Sequence, residues 1–193
     1  GMVGSGGSSV ATLGGNVTDN DPQLAQMEAE RLSNLLWKVR TQLDINLPDA
    51  SAAVQEAIQS VEHPVILVEM GDNIGGGSPG DSTFILSELL HQKADGFVVV
   101  LYDAAAVTAC IQAGVRGQVD LKVGGKSDNL HGAPARIRGR VRLIHDGCYE
   151  ETEPRHGGQR HHDQGLTAVV EIEGRSLIVL TSKRQVPFSL HQL

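Results

Sequence analysis

Aromatic side chains are nearly absent from this 193-residue chain: Phe, Trp and Tyr together make up 3% of it. So few ring faces leave little stacking surface for bases or sugars. Positive charge is also in deficit. Sixteen Lys and Arg stand against 23 Asp and Glu, and the resulting net charge of −7 argues against non-specific attraction to nucleic acid or to an anionic membrane. Cysteine is scarce. Cys110 and Cys148 lie far apart and form no CxxC pair, so neither a disulfide framework nor a zinc ribbon is expected. Neither thiol reads as a nucleophile, since Cys110 falls on the inward side of a helix and Cys148 in a hairpin segment. No apolar run reaches the roughly 18 residues of a membrane-spanning helix. The first residues lack the basic and apolar regions of a secretory signal, so the expected address is cytoplasmic. No GxSxG elbow announces a serine hydrolase.

What is present is a change of pattern along the chain. Residues 1–18 are rich in Gly and Ser and read as a tail or as the remnant of a preceding domain. Residues 19–62 read as a helical linker region packed on the core. Its first helix has Asp21 as N-cap and Pro22 at the first helical position, with Leu24, Met27, Leu32, Leu35, Leu36, Val39 and Leu43 keeping one face apolar. A shorter helix follows Pro48, with Ala53, Val54, Ala57, Ile58 and Val61 inward. Residues 63–193 then alternate strand and helix. "PVILVEM" (64–70) reads as an interior strand covered on both faces. A helix is expected from about Asp81 to Gln92, a second buried strand over 96–103, and a helix capped by Asp103 and ended at Gly114. Beyond residue 117 the period falls to two: "VDLKVGG", "ARIRGRVRLIHDGCYE" and "LTAVVEIEGRSLIVLTSK" are antiparallel strands and hairpins, the last broken at Gly174 and Arg175. The fold class is α/β: a mixed sheet with a parallel βαβ start and antiparallel C-terminal hairpins, layered with helices.

One stretch stands out chemically. "GDNIGGGSPGDS" (71–82) packs five glycines, a proline and two aspartates into twelve residues, between an apolar strand and an apolar helix. It is neither a Walker A loop, lacking the terminal Lys-Ser/Thr, nor a GxGxxG turn. A strand's carboxyl end is where open α/β sheets bind ligands. Asp72, Asn73, Gly75, Gly76, Gly77, Gly80, Asp81 and Ser82 are therefore candidates for a substrate- or interface-facing loop. Asp72 and Asp81 suit ammonium or amide groups better than phosphate. A purely structural reading stands beside this one: Asp81 caps the next helix and Asp72 with Asn73 makes an Asx-turn. His131, in "NLHGAP", is either a substrate-contacting histidine or a turn residue.

Two further clusters have bland alternatives. Arg136, Arg138, Arg140 and Arg142 share one face of a strand, as a polyanion groove or as a solvated face partnered by Asp120, Glu171 or Glu173. His156, His161, His162 and Asp163 could in principle hold a transition metal. Adjacent His161 and His162 would point oppositely on a strand, however, and no metal site is assigned to them.

Taken together in order, "VILVEMGDNIGGGSPGDSTFILSELL", "GFVVVLYDAAAVTACIQAGV", "VGGKSDNLHGAP", "RGRVRLIHDGCYEETEPRHGG", "DQGLTAVVEI" and "LIVLTSKRQVPFSLHQL" resemble the C-terminal domain of the microcystinase C (MlrC) family. The signature DNxGGGxPGD, residues 72–81, is the most specific of them. The resemblance implies zinc-dependent peptide hydrolysis of the microcystin-degradation type, with the zinc held by an N-terminal domain whose ligands match nothing here. It therefore implies no cofactor and no independent catalysis on this chain. The implied partners are a missing or separate catalytic domain and, in the intact enzyme, a peptide-like substrate; neither nucleic acid nor membrane is implied. Two other readings remain open. One is a stand-alone interaction or oligomerisation module, with a homo-oligomer expected; the other is a small-anion binder working through the Gly-rich loop.

Overall fold

The computed structural model describes residues 2–3, 19–43, 47–153, 158–187 and 189–192. The chain divides into two compact units, one of residues 7–47 and one of residues 1–6 with 48–193.

The smaller unit holds α1 (Pro22–Val39), which opens as its sequence dictates. Asp21 accepts a hydrogen bond from the Leu24 amide at 2.9 Å, and Pro22 takes the position where a missing N–H costs nothing. A 3-10 turn, Arg40–Gln42, continues it.

The larger unit is built on a five-stranded sheet. Its strands are β3 (Val98–Tyr102), β4 (Gln118–Val123), β5 (Ala135–His145), β8 (Thr167–Ile172) and β9 (Leu177–Thr181). The spatial order is β3-β9-β8-β5-β4, with β3 and β9 parallel and every other pair antiparallel. The mixed α/β class expected from the sequence is therefore what forms. The β8–β9 connection is the tight turn expected at Gly174 and Arg175. Two small ladders flank the sheet: β1 (Met2–Val3) parallel to β2 (Val68–Glu69), and β6 (Cys148–Glu150) antiparallel to β7 (His161–Asp163).

Three helices complete this unit: α2 (Ala50–Gln59), α3 (Phe84–His91) and α4 (Ala104–Ala113). Leu86, Val107 and Cys110 pack into one apolar cluster with Val123, Ile137, Val141, Ala168, Val170, Ile178 and Leu180 from the sheet. Burying each Leu, Ile or Val side chain of this cluster contributes about 1.5–3 kcal/mol before chain entropy is counted. Among the described residues no helix is long and apolar enough to cross a membrane.

Three local expectations differ from the structure. Segment 64–70 forms only two residues of ladder and stays outside the main sheet, and Ile66 is 70% exposed. Continuous apolar sequence signals burial, but burial needs a covering layer, which the described residues do not supply here. In α2, Ala53 and Val54 are buried as expected, whereas Ile58 is exposed, and Val61, which lies beyond the helix end, is exposed too. Helix α3 starts at Phe84 rather than Asp81, because the Asp81 carboxylate is engaged elsewhere and Thr83 stands at the N-cap without a side-chain bond.

Candidate functional site

The parallel pair fixes where the site lies. At the carboxyl ends of β3 and β9, the Asp103 amide donates to the Thr181 carbonyl at 2.9 Å, and loop 71–82 reaches the same end through the Tyr102 amide, which donates to the Gly80 carbonyl at 2.8 Å.

Asp72 closes that loop on itself. One carboxylate oxygen accepts from the Gly80 amide and the other from the Ser82 amide, each at 2.7 Å. Asn73 caps the 3-10 turn Ile74–Gly76, its Oδ1 accepting from the Gly75 amide at 3.0 Å. The Gly76 and Ser78 amides donate to the Asn73 carbonyl, and the Gly77 amide to the Ile74 carbonyl. These amides are committed inside the loop. An anion-binding nest needs amides that point outward, so the small-anion reading has no donors among them. The exposed tip consists of Asn73, Gly75, Gly76 and Gly77.

Asp81 ties this loop to a second one, residues 124–134. Only 1% exposed, it accepts from the Lys126 and Ser127 amides through Oδ2, both at 2.9 Å, while its carbonyl accepts from the Gly125 amide at 2.6 Å. Its Oδ1 is buried without a hydrogen-bond partner. Gly124 and Gly125 make the approach possible. Both have left-handed φ (+63° and +55°), and a Cβ on either would lie 2.6 Å from a carbonyl oxygen, that of Asp81 or Gly132 respectively. Asp103 adds a third tie: Oδ1 caps α4 at the Ala106 amide, and Oδ2 accepts from the Gly124 amide at 3.1 Å and from Lys126 Nζ at 2.6 Å. Thr83 Oγ1 donates to the Ala133 carbonyl at 2.7 Å.

His131 is the fourth tie. Asp128 holds Nδ1 at 2.8 Å, while Nε2 lies 3.9 Å from Asp72 Oδ1 on a side chain only 14% exposed. Burial alone would lower the imidazole pKa. The hydrogen bond and charge of Asp128, the charge of Asp72 and a hydrogen bond to the Gly71 carbonyl outweigh it, so the net shift is upward. Asp128 is correspondingly held below the usual carboxylate range, chiefly by its hydrogen bond to His131. Close by, Ser82 Oγ donates to Glu69 Oε1 at 2.7 Å. Burial pushes the Glu69 carboxyl up, opposed by that bond and reinforced by the charge of Asp72.

The structure thus brings Asp72, Asp81, Ser82, Gly80 and His131 together at one end of the sheet. It adds Glu69, Lys126, Ser127 and Asp128, which sequence reasoning did not single out, and Asp103, which the sequence marked only as a helix cap. The signal for these was present in the two adjacent glycines before Lys126 and in the Asp128-x-x-His131 spacing.

The other two clusters lie elsewhere. The four arginines share one face of β5, as expected, and are partnered by two of the acids named for them. Asp120 takes Arg136 through two bonds of 2.7 Å and Arg138 at 2.9 Å, and Glu171 takes Arg140 at 2.8 Å. Of the histidine cluster, His156 lies outside the described residues. His161 and His162 alternate across β7: His161 is exposed, and His162 is buried with its ring stacked on Tyr149 at 4.9 Å. Asp163 pairs with Lys183. Among the described residues no three His, Cys, Asp or Glu side chains are placed to hold a metal ion together.

Comparison with known proteins agrees with this architecture. The MlrC C-terminus family matches residues 67–193. Microcystinase C from Sphingomonas sp is 30% identical over 138 residues, which is 68% of this chain and 27% of that protein. The crystal structure of a candidate metallopeptidase from Mesorhizobium sp. BNC1 superposes with a TM-score of 0.69 at 27% identity, covering 86% of this chain and 33% of the other. The chain therefore spans between a quarter and a third of the length of these two relatives.

Proposed function

Because the chain belongs to the MlrC C-terminus family, we propose that it acts as the C-terminal, non-metal-bearing domain of an MlrC-like metallopeptidase. That enzyme hydrolyses peptide or amide bonds, of the microcystin-degradation type, in the cytoplasm. The role assigned to this domain is to support the substrate cleft, or the interface with the metal-bearing domain, through the rim formed by loops 71–82 and 124–134.

The observation that carries this reading is the cross-locking of the two loops by Asp72, Asp81, Asp103 and His131. Such a rim is already ordered before anything binds, so ligand binding does not bear the cost of ordering it. A peptide-like substrate would then meet the tip through the Asn73 side-chain NH2 and the close-approach surface of its glycines, not through their committed amides. The zinc of the reading belongs to the other domain. The residues here do not fit it, since both oxygens of Asp72 are spent on amides and Asp81 gives one oxygen to two more. No step of the hydrolysis is therefore assigned to this chain.

The test uses a full-length relative carrying the same loop. Replacing the residues equivalent to Asp72 and Asn73 by Asn and Ala should lower kcat/KM at least tenfold while zinc content stays unchanged. Unaltered kcat and KM would end the proposal. The competing reading, an interaction module without catalysis, is favoured by one observation: α1 has no buried residue.

A further inference from the structure

Among the apolar residues of helix α1, which also include Leu24, Met27 and Leu35, runs a series at heptad spacing. Ala25, Leu32 and Val39 are spaced by seven, and so are Ala29, Leu36 and Leu43, with Leu43 just past the 3-10 turn that extends the helix. The two series interleave with alternating steps of four and three, the pattern of a coiled-coil seam. At about 100° per residue the five positions inside α1, Ala25 to Val39, form a stripe roughly 80° wide. Leu32, Leu36 and Leu43 are 38%, 45% and 61% exposed.

The order of sizes along the seam says which way a second helix runs. Small residues occupy the first half and large ones the second. In an antiparallel pair centred on Asn34, Ala25 meets Leu43, Ala29 meets Val39 and Leu32 meets Leu36, and the same layers then recur in reverse. Every layer thus sets a small residue against a large one, or two leucines against each other. A parallel pair would stack Ala25 on Ala25 and Leu43 on Leu43, leaving thin layers at one end and crowded ones at the other.

Charge points the same way. Residues 21–31 carry Asp21, Glu28 and Glu30 against the single Arg31, whereas residues 33–43 carry Lys38 and Arg40 and no acid. Antiparallel pairing sets the acidic half beside the basic half and opposes the two helix dipoles. Most helical stability in proteins comes from packing an apolar face rather than from propensity, and pairing supplies that packing.

We propose that α1 is a self-association helix, and that two copies of this chain pair through the seam 25–43 as an antiparallel two-helix coiled coil. The inference does not depend on the peptidase reading, and it concerns a face remote in sequence from the loops assigned to the site.

The experiment is sedimentation equilibrium on the full chain. The expected species has twice the chain mass of 20.5 kDa. A Leu32→Asp/Leu36→Asp double variant is expected to return to the single mass, with association weakened at least 100-fold. A urea transition of the sheet that is unchanged in that variant shows that the loss of mass is a loss of pairing and not of folding. Orientation is read by cross-linking in a Cys148→Ser background. Ala29→Cys mixed with Val39→Cys should give a disulfide-linked dimer under mild oxidation, and neither variant should do so alone. A monomer at all concentrations overturns the proposal. So does a dimer that survives the double variant, or Ala29→Cys cross-linking to itself.

Discussion

The backbone amide of Lys126 donates to the buried carboxylate of Asp81 at 2.9 Å, across 45 residues of sequence. The Ser127 amide meets the same oxygen at the same distance. One side-chain atom thus sets the path of the whole second loop.

Asp81→Ala should therefore destabilise the fold by about 3 kcal/mol, since two amides lose a charged acceptor in a site closed to water. Asp81→Asn should cost less, because its carbonyl oxygen can keep both amides while the NH2 group occupies the place of the unpartnered Oδ1. Urea titrations with a shared slope would show the order wild type, Asn, Ala. Equal losses for the two variants would mean that charge, not the acceptor position, holds the loop.

His131 makes stability depend on pH with a definite sign. Its folded pKa lies above the ordinary value of 6.5, so its contribution is fully present below that value and fades as pH rises through the raised one. The groups facing it are Asp128, Asp72, Glu69 and the Gly71 carbonyl. NMR titration should place its imidazole above the ordinary histidine value of 6.5, and Asp128→Asn should bring it down. A His131→Asn variant should lose the decline in stability over that window.

The two thiols should differ sharply in reactivity. Cys148 is exposed, whereas Cys110 is buried and its thiol pKa is pushed up to about 11 by burial and by the charge of Asp103. One equivalent of an aromatic disulfide reagent should react at once in the native protein, and the second only after denaturation. Two fast equivalents would mean that α4 opens readily.

The arginine face should be masked by its own acids. Asp120→Ala with Glu171→Ala would leave Arg136, Arg138, Arg140 and Arg142 without these partners. The double variant should elute from a heparin column at higher salt than the wild type. Unchanged elution would show that the paired guanidinium groups were already available to a polyanion.

Local chemistry was legible in the sequence wherever the partner was near or the period was strict. Asp21, Pro22 and Asp103 mark helix starts that the structure keeps. The alternation through β4, β5 and β8 gives Asp120 and Glu171 as arginine partners without any coordinates. The role of Asp81 was not legible. A carboxylate just ahead of an apolar helix reads as a cap, and nothing local says that two amides far along the chain will compete for it and win. Segment 64–70 misled for the opposite reason: its composition states a preference for burial, not whether anything in the described residues covers it.

The register of β3 on β9 has a consequence for how the chain is made. Val98 pairs with Leu177 and Tyr102 with Thr181, and β9 is the strand that separates β3 from β8. During synthesis, β4, β5 and β8 can form their ladders as they emerge, but β3 has no neighbour in the sheet until residue 181 is free of the ribosome. For that interval an apolar strand waits with both edges open. The fold is completed by insertion rather than by growth, which makes the interval between residues 102 and 181 the period of greatest exposure to aggregation.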